Sequence, residues 1–287
     1  MISLISQAFA QAKAEGSAAF IPFMTAGFPD PETFIEILTA LDDSGADLIE
    51  VGLPFSDPLA DGPTIQAASR RALELGVTPE RVFDLIAQAK ARIKSPLVLM
   101  TYFNPILRRG LADFAARTKE SGASGVIVPD LPPEEAGDWL VAAEEAGLET
   151  IFMVAPTTTP ERLERILAVS RGFVYFVSLT GVTGADFFVS PQLVADLRRL
   201  RAQSLVPVAV GFGVSTPGQA QALAPAADGV IVGSALIRAV QDSDHGPAQT
   251  TAVAELAVAL KRALSDSKPD HPADRSRQAA SAAKEGP

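Results

Sequence analysis

Short runs of apolar residues recur along the chain, and a stretch with helical spacing of its apolar positions follows each run. Continuous apolar runs are typical of strands in a parallel sheet, where helices cover both faces. There are eight such runs, at residues 20–24, 48–51, 97–101, 126–128, 151–154, 173–177, 208–210 and 230–232. Eight strand–helix units in about 250 residues predict an α/β fold, a closed (β/α)8 TIM barrel. The alternative is an open doubly wound sheet with fewer strands.

The spacing of apolar residues also predicts the helices. They are expected at residues 31–44, 64–76, 79–93, 111–121, 133–146, 160–169, 191–201 and 216–226. Residues 64–76 and 79–93 both follow the second strand, so one of them is an extra helix. Apolar residues near the start, including Ile5 and Phe9, predict an additional N-terminal helix, and residues 251–264 predict a final one.

The composition of the chain changes after residue 264. Residues 265–287 contain no aromatic residue and no Val, Ile, Leu or Met, and they are rich in Ala, Ser, Asp, Lys and Pro. Such a segment cannot bury enough apolar surface to offset the entropy lost on ordering. The predicted organisation is therefore a single (β/α)8 barrel domain over residues 1–264 and a disordered C-terminal tail over residues 265–287.

Composition and charge exclude several kinds of chemistry. The 287 residues include no Cys and only two His, which rules out thiolate nucleophiles and Cys-ligated metals and predicts no metal site. The net charge of −10 argues against binding to nucleic acid. No apolar run has the length of a membrane span, and the first residues lack the pattern of a signal peptide, so the expected location is the cytoplasm.

The second strand carries a candidate catalytic residue. Alternation places Leu48 and Glu50 on one face and Ile49 and Val51 on the other. Because helices cover the outside of the barrel, we expect the apolar pair outside and Glu50 pointing into the mouth. Desolvation there should raise its pKa towards neutrality, which suits general acid–base catalysis. The alternative is a structural ion pair with an Arg or Lys.

A second carboxyl group follows in the loop after this strand. Asp61 precedes the helix that opens near Pro63, so it is either the N-cap of that helix or a partner of Glu50 in catalysis. Two carboxyl groups that converge on one cavity can move protons without a His residue. The sequence therefore predicts a pair of acid groups at the mouth of the barrel.

Glycines gather after the sixth, seventh and eighth strands. They occur in residues 181–184, 211–213 and 233–234, at loops that commonly bind phosphate in this fold. Backbone N–H groups would bind the anion, with plain turns as the alternative. Residues 178–190 exceed the usual length of such a connection and predict a mobile lid. Several large side chains at strand ends predict an apolar pocket, among them Phe23, Met100, Tyr175 and Phe212.

The sequence resembles the tryptophan synthase alpha subunit family from about residue 20 to residue 238. The most specific segment is residues 48–63 (LIEVGLPFSDPLADGP). Further similar segments follow in the same order as in the family: residues 21–27 (IPFMTAG), 129–135 (PDLPPEE), 155–159 (APTTT), 181–184 (GVTG) and 211–214 (GFGV). The resemblance implies a (β/α)8 lyase that splits indole-3-glycerol phosphate into indole and glyceraldehyde 3-phosphate by a retro-aldol reaction.

The resemblance also implies roles for individual residues. Glu50 would be the general acid–base at C3 of the indole and at the side-chain hydroxyl, and Asp61 would accept a hydrogen bond from the indole N–H. Thr183 would close over Asp61 when the lid shuts, and Tyr175 would be a polar partner. Phosphate would bind at Gly184, Gly213, Gly233 and Ser234, and the indole would lie among Phe23, Met100 and Phe212. Some members carry an Arg before the GVTG segment, where this chain has residues 178–180 (SLT).

The resemblance implies a partner as well. The family works as an αββα complex with a beta subunit, which holds pyridoxal phosphate and condenses indole with serine. No cofactor is expected in this chain, and Pro54 and Asp57 match the loop that meets the partner. Three alternatives remain at this point: a lyase that needs no partner, a catalytically silent barrel that binds phosphate ligands or only activates a partner, and another phosphate-binding barrel such as a sugar-phosphate isomerase.

Overall fold

The strands of the protein close into a barrel. The computed structural model describes residues 3–178, 189–211 and 213–266. In that part of the chain eight parallel strands pair in chain order, and the eighth pairs with the first. They are β1 (Ala19–Thr25), β2 (Ile49–Gly52), β3 (Leu97–Met100), β4 (Ala123–Ile127), β5 (Glu149–Val154), β6 (Val174–Val177), β7 (Val208–Gly211) and β8 (Gly229–Val232). The predicted (β/α)8 barrel is confirmed, and the open doubly wound sheet is excluded.

Helices follow the strands, and two of them lie between β2 and β3 as predicted. They are α1 (Leu4–Ala14), α2 (Pro31–Asp43), α3 (Pro63–Glu74), α4 (Pro79–Lys90), α5 (Phe103–Arg109), α6 (Leu111–Glu120), α7 (Gly137–Ala146), α8 (Pro160–Val169), α9 (Pro191–Gln203), α10 (Pro217–Leu223), α11 (Ser234–Gln241) and α12 (Pro247–Ser265). The predicted N-terminal helix is α1. Within the described ranges, no helix combines the length and the apolar composition needed to span a bilayer.

Local sequence explains where several helices begin. Pro occupies the first position of α2, α4 and α8, where its missing N–H has no intrahelical partner in any case. The side chain of Asp30 caps α2 by accepting hydrogen bonds from the N–H groups of Glu32 and Thr33. Thr216 and Gln219 form a capping box at the start of α10.

Some helix boundaries differ from the prediction. Helix α7 begins at Gly137 and not at residue 133. The residues before it form turns instead, because the Glu135 N–H donates to the Pro132 carbonyl and the Ala136 N–H to the Pro133 carbonyl. Helix α5 was not expected, since its seven residues are too few to show an amphipathic pattern. Helix α12 begins at Pro247 and extends to Ser265, one residue into the predicted tail. Residues 267–287 lie outside the described residues.

Helix α1 covers the amino end of the barrel. Its Ile5 and Phe9 are buried with the inward-facing side chains of the strands, and the ring of Phe9 lies 5.5 Å from that of Phe173. The amino end of the barrel is therefore filled with apolar side chains. The carboxyl ends of the strands remain as the place for a site, which agrees with the usual position in this fold.

Candidate active site

Glu50 points into the barrel, as the alternation of β2 predicts. Its neighbours Ile49 and Val51 pack in the cluster beneath the helices, whereas Leu48 belongs to the cluster inside the barrel. The side chain of Glu50 is 1% exposed, and among the described residues neither carboxylate oxygen has a hydrogen-bond partner. The alternative of a structural ion pair therefore finds no support.

The surroundings of Glu50 favour its protonated form. Burial raises the pKa of Glu50 to about 8, and the negative charge of Asp61 adds to the rise. A carboxyl group loses much of its solvation when it ionises in an apolar environment. Glu50 is therefore mainly an acid at neutral pH and able both to give and to take a proton.

Asp61 lies in the loop between β2 and α3, and it is not a helix cap. The N-cap of α3 is Gly62, and no side chain bonds to the first turn of that helix. Burial raises the pKa of Asp61 to about 6, although a hydrogen bond from the Tyr102 hydroxyl opposes the rise. Glu50 and Asp61 thus differ in acidity, and at neutral pH one is mainly protonated and the other mainly ionised.

Tyr102 joins this site, and it was not among the residues predicted from the sequence. It lies two residues after the end of β3 and is 3% exposed. Its hydroxyl oxygen accepts a hydrogen bond from the N–H of Ala60 at 3.0 Å, and its ring stacks on Phe55 with 5.2 Å between centroids. Its place at the carboxyl end of a strand is the one signal in the sequence that could have found it.

Large side chains form the wall beside the carboxyl groups. Phe23 and Met100 are buried with the inward-facing residues of the barrel, and Phe23 pairs in register with Glu50. A Cβ atom added to Gly52 would lie 2.6 Å from the Phe23 ring, so glycine is what lets this ring lie across β2. Met100 pairs in register with Gly52 from the other side.

Tyr175 also faces the inside of the barrel. It is 4% exposed, and burial raises its pKa well above the ordinary value, with the charges of Glu50 and Asp61 adding to the effect. The phenol is therefore a neutral hydroxyl near the two carboxyl groups. Phe212, the third predicted wall residue beside Phe23 and Met100, lies outside the described residues.

Part of the predicted phosphate site lies in the described residues. The strands β7 and β8 pair at Val210 and Val230, and Gly213 and Gly233 each follow three residues later. Ser234 is the first residue of α11, whose first turn carries no acidic side chain. This arrangement directs a helix N-terminus at the mouth of the barrel. Thr183 and Gly184, together with most of the predicted lid, lie outside the described residues.

The two residues predicted to meet a partner differ in exposure. Pro54 is buried in the chain, whereas Asp57 is exposed and accepts a hydrogen bond from the Ser56 hydroxyl. Of the two, Asp57 is the one open to a partner in this structure. Leu59 in the same loop is 91% exposed, which is unusual for a large apolar side chain.

A separate cavity lies at the carboxyl ends of β4 and β5. It has a volume of about 530 Å³ and opens between the loops that follow β4 and β5, where Leu131, Met153 and Arg162 line it. Glu50 and Asp61 are not among its lining residues. The candidate active site is therefore defined by the carboxyl pair and its wall, and not by this cavity.

Comparison with known proteins places this chain beside tryptophan synthase alpha chains. The family model of the tryptophan synthase alpha chain matches residues 9–265. The tryptophan synthase alpha chain of Gloeobacter violaceus is 54% identical over 235 residues, which cover 82% of this chain and 85% of the relative. That of Picosynechococcus sp. is 47% identical over 262 residues, which cover 91% of this chain and 98% of the relative.

Solved structures similar to this chain also come from tryptophan synthases. The crystal structure of tryptophan synthase subunit alpha from Legionella pneumophila matches with a TM-score of 0.84 at 36% identity, covering 93% of this chain and 100% of that one. A structure of Mycobacterium tuberculosis tryptophan synthase matches with a TM-score of 0.83 at 41% identity, covering 92% and 99%. The chain therefore belongs to the tryptophan synthase alpha chain family, lyases that cleave indole-3-glycerol phosphate into indole and glyceraldehyde 3-phosphate.

Proposed function

We propose that Glu50 and Asp61 carry out the cleavage of indole-3-glycerol phosphate in this chain. The observation that carries the proposal is the difference between the two carboxyl groups, since the pKa of Glu50 is about 8 and that of Asp61 about 6. Titratable groups whose surroundings separate their pKa values commonly divide acid and base roles between them. Glu50 is then the proton donor, and Asp61 is the ionised acceptor.

The proposed reaction begins with a proton transfer to the ring. Glu50 in its acid form protonates C3 of the indole, and positive charge develops at the ring nitrogen. The Asp61 carboxylate accepts a hydrogen bond from the indole N–H and stabilises that charge. A preorganised charge aimed at a developing opposite charge is usually a large contribution to catalysis.

The second step breaks the carbon–carbon bond. The Glu50 carboxylate takes the proton from the hydroxyl on the carbon attached to C3, and the bond between this carbon and C3 breaks. Its electron pair returns to the ring and restores neutral indole, while the hydroxyl carbon becomes the aldehyde of glyceraldehyde 3-phosphate. Glu50 ends protonated, ready for the next turnover.

The remaining predicted residues would bind the substrate. Phe23 and Met100 would flank the indole together with Phe212, and Tyr175 would be a polar partner beside the carboxyl groups. Phosphate would bind to backbone N–H groups at Gly213 and Gly233, to the hydroxyl of Ser234 and to Gly184. Thr183 would close over Asp61 when the lid shuts. Val210 of β7 and Val230 of β8 are paired, and Gly213 and Gly233 each lie three residues after them. This placement supports the phosphate part of the proposal.

A beta subunit is the partner that membership of the family implies. We propose the αββα assembly, with Pro54 and Asp57 in the loop that meets the partner and indole passing between the subunits. Pyridoxal phosphate is associated with the beta subunit, and no step proposed for this chain uses it. We also propose residues 1–264 as one catalytic domain, and the cytoplasm stays the expected location.

Two substitutions test the catalytic roles. We expect Glu50→Gln to lower the rate of indole release by about 10²–10⁴-fold, because it keeps the shape of the side chain and removes the proton. Asp61→Asn should also nearly abolish turnover, because the charge that stabilises the ring nitrogen is lost. The measurement is indole formed from indole-3-glycerol phosphate, with and without a beta subunit.

Glu149→Gln is the matched control. Glu149 is a second Glu in a strand, and burial raises its pKa too, but it stands at the amino end of β5, away from the mouth. We expect its variant to keep the wild-type rate. A wild-type rate for Glu50→Gln would reject Glu50 as the catalyst. Full turnover of the unaided chain, with no increase on adding the partner, would favour the lyase that needs no partner.

A further inference from the structure

Tyr102 has a fixed position between the strand and the loop of the active site. It is the N-cap of α5 and is 3% exposed. The Phe55 ring lies against it with an interplanar angle of 26° and comes from the same loop as Asp61. A buried phenol with an aromatic ring stacked on it has little freedom to rotate. The hydroxyl of Tyr102 is therefore held at one place.

The hydroxyl has two partners in that loop. Its oxygen accepts a hydrogen bond from the Ala60 N–H, which leaves the hydroxyl proton free to be donated. That proton is left for the Asp61 carboxylate, whose pKa is lowered by hydrogen bonding from Tyr102. One side chain is thus fixed by the backbone N–H before Asp61 and acts on its acid group.

Other contacts of Asp61 hold its backbone and not its carboxylate. Its N–H donates to the carbonyl of Pro58 at 3.2 Å, and its carbonyl accepts from the Gln66 amide at 2.8 Å. Since Gly62 is the cap of α3, the carboxylate makes no bond to that helix. Among the described residues, the hydroxyl of Tyr102 is the hydrogen-bond donor that lowers the pKa of this carboxylate.

We propose that Tyr102 is a positioning residue for the cleavage reaction, and that its hydroxyl holds the Asp61 carboxylate where it receives the indole N–H. The inference rests on the role proposed for Asp61. Tyr102 acts through Asp61 and takes no proton from the substrate. Without the hydroxyl, the carboxylate loses its donor and the Ala60 N–H loses its acceptor, so both the direction and the ionisation of Asp61 change.

The experiment is a binding cycle in a background that cannot turn over. Glu50→Gln chains with Asp61→Asn, Tyr102→Phe, both changes or neither are titrated with indole-3-glycerol phosphate by calorimetry near neutral pH. Tyr102→Phe keeps the ring and its stack on Phe55. We expect it to weaken binding about tenfold where Asp61 is present, the size of one hydrogen bond to a charged group. Where Asp61 is already Asn, it should weaken binding less than about twofold.

The outcomes separate this inference from the proposed function. Equal weakening by Tyr102→Phe in both backgrounds overturns the inference, because the hydroxyl then acts on the loop and not through Asp61. Weakening by Asp61→Asn with none by Tyr102→Phe overturns the inference and leaves the proposed function intact. If Asp61→Asn binds as tightly as its parent, the role of Asp61 fails and the inference fails with it.

A pH profile gives a second readout that a loss of fold would not move. The titratable groups that act on this pair are Glu50 from β2, Tyr175 from β6 and Asp130 from the loop after β4. Because the Tyr102 hydroxyl lowers the pKa of Asp61, its removal raises that pKa. In the otherwise unchanged chain, Tyr102→Phe should move the acid limb of kcat/KM to higher pH. A fall of equal size at every pH overturns the inference.

Discussion

Glu50 is a buried carboxyl group whose ionisation also affects the stability of the fold. Its folded-state pKa is about 8, against an ordinary value of 4.5. Between these two values the folded chain holds a proton that the unfolded chain has released. The free energy of unfolding therefore falls as the pH rises through this window, since stability falls wherever the folded state binds more protons.

This linkage predicts how Glu50→Gln changes stability. Gln cannot ionise, so the free energy of unfolding of the variant relative to wild type should increase as the pH rises from about 4.5 to about 8. The full increase is on the order of 5 kcal/mol, from the size of the pKa shift. Urea unfolding at several pH values measures it. A difference between the two proteins that stays flat across this range would contradict the burial assigned to Glu50.

Gly211 shows how closely the residues of the site are packed. A Cβ atom at this position would collide with the Tyr175 hydroxyl and would lie 2.7 Å from its Cζ atom. Tyr175 is buried and cannot move into solvent. We expect Gly211→Ala to destabilise the fold by about 1–3 kcal/mol and to lower turnover, because the Tyr175 ring must shift.

The control for this substitution is Gly137→Ala. A Cβ atom at Gly137 has nothing within 4 Å, and the residue begins α7 on the outside of the barrel. Thermal unfolding should show a lower melting temperature for Gly211→Ala and an unchanged or higher one for the control. Equal melting temperatures would mean that the Tyr175 ring has room to move.

Helix α12 is attached to the segment just before β2 by an ion pair. The Lys261 ammonium lies 2.7 Å from a carboxylate oxygen of Asp47, and that oxygen also accepts a hydrogen bond from the Phe20 N–H. The two side chains are only 18% and 11% exposed. Burial raises the pKa of Asp47, and the Lys261 charge opposes this rise.

We predict that Lys261→Met destabilises the protein by about 2–4 kcal/mol, because it leaves a nearly buried carboxylate without its cation. Adding Asp47→Asn should restore most of the loss, since Asn can still accept from the Phe20 N–H. Arg262→Met is the control on the same helix, because Arg262 is 83% exposed. Chemical unfolding measures all four chains, and a double variant no more stable than the single one would contradict the pairing.

Helix α12 is the last element of the barrel in the described residues. Leu260 and Leu264 are fully buried residues of this helix, and the family match ends at residue 265. The segment after it was predicted to be a tail from its composition alone.

Deleting residues 267–287 should therefore change neither the melting temperature nor the rate of indole release. A chain that ends after Leu260 is the control, because it loses both Lys261 and the buried Leu264. The free energy of unfolding of this control should fall by at least about 2 kcal/mol from the loss of the leucine alone. A clear fall in melting temperature for the shorter deletion would show that the tail packs on the barrel.

The sequence alone determined the architecture and the inward position of Glu50, the first candidate catalytic residue. Eight apolar runs with helices between them predict a closed barrel, because a parallel sheet must be covered on its outer face. Period-two alternation within β2 was enough to direct Glu50 inward, since its neighbours are apolar and belong under the helices. The apolar runs and the alternation in β2 both depend on residues close together in the sequence, so a short sequence pattern is enough to predict them.

Tertiary structure decided what depends on contacts between distant parts of the chain. Tyr102 bonds to Ala60, which lies 42 positions earlier, and no spacing rule connects them. Whether Asp61 caps a helix or stays beside Glu50 was also open until the N-cap of α3 proved to be Gly62. The separate pKa values of the two carboxyl groups follow from burial and mutual charge, which exist only once the barrel has closed around them.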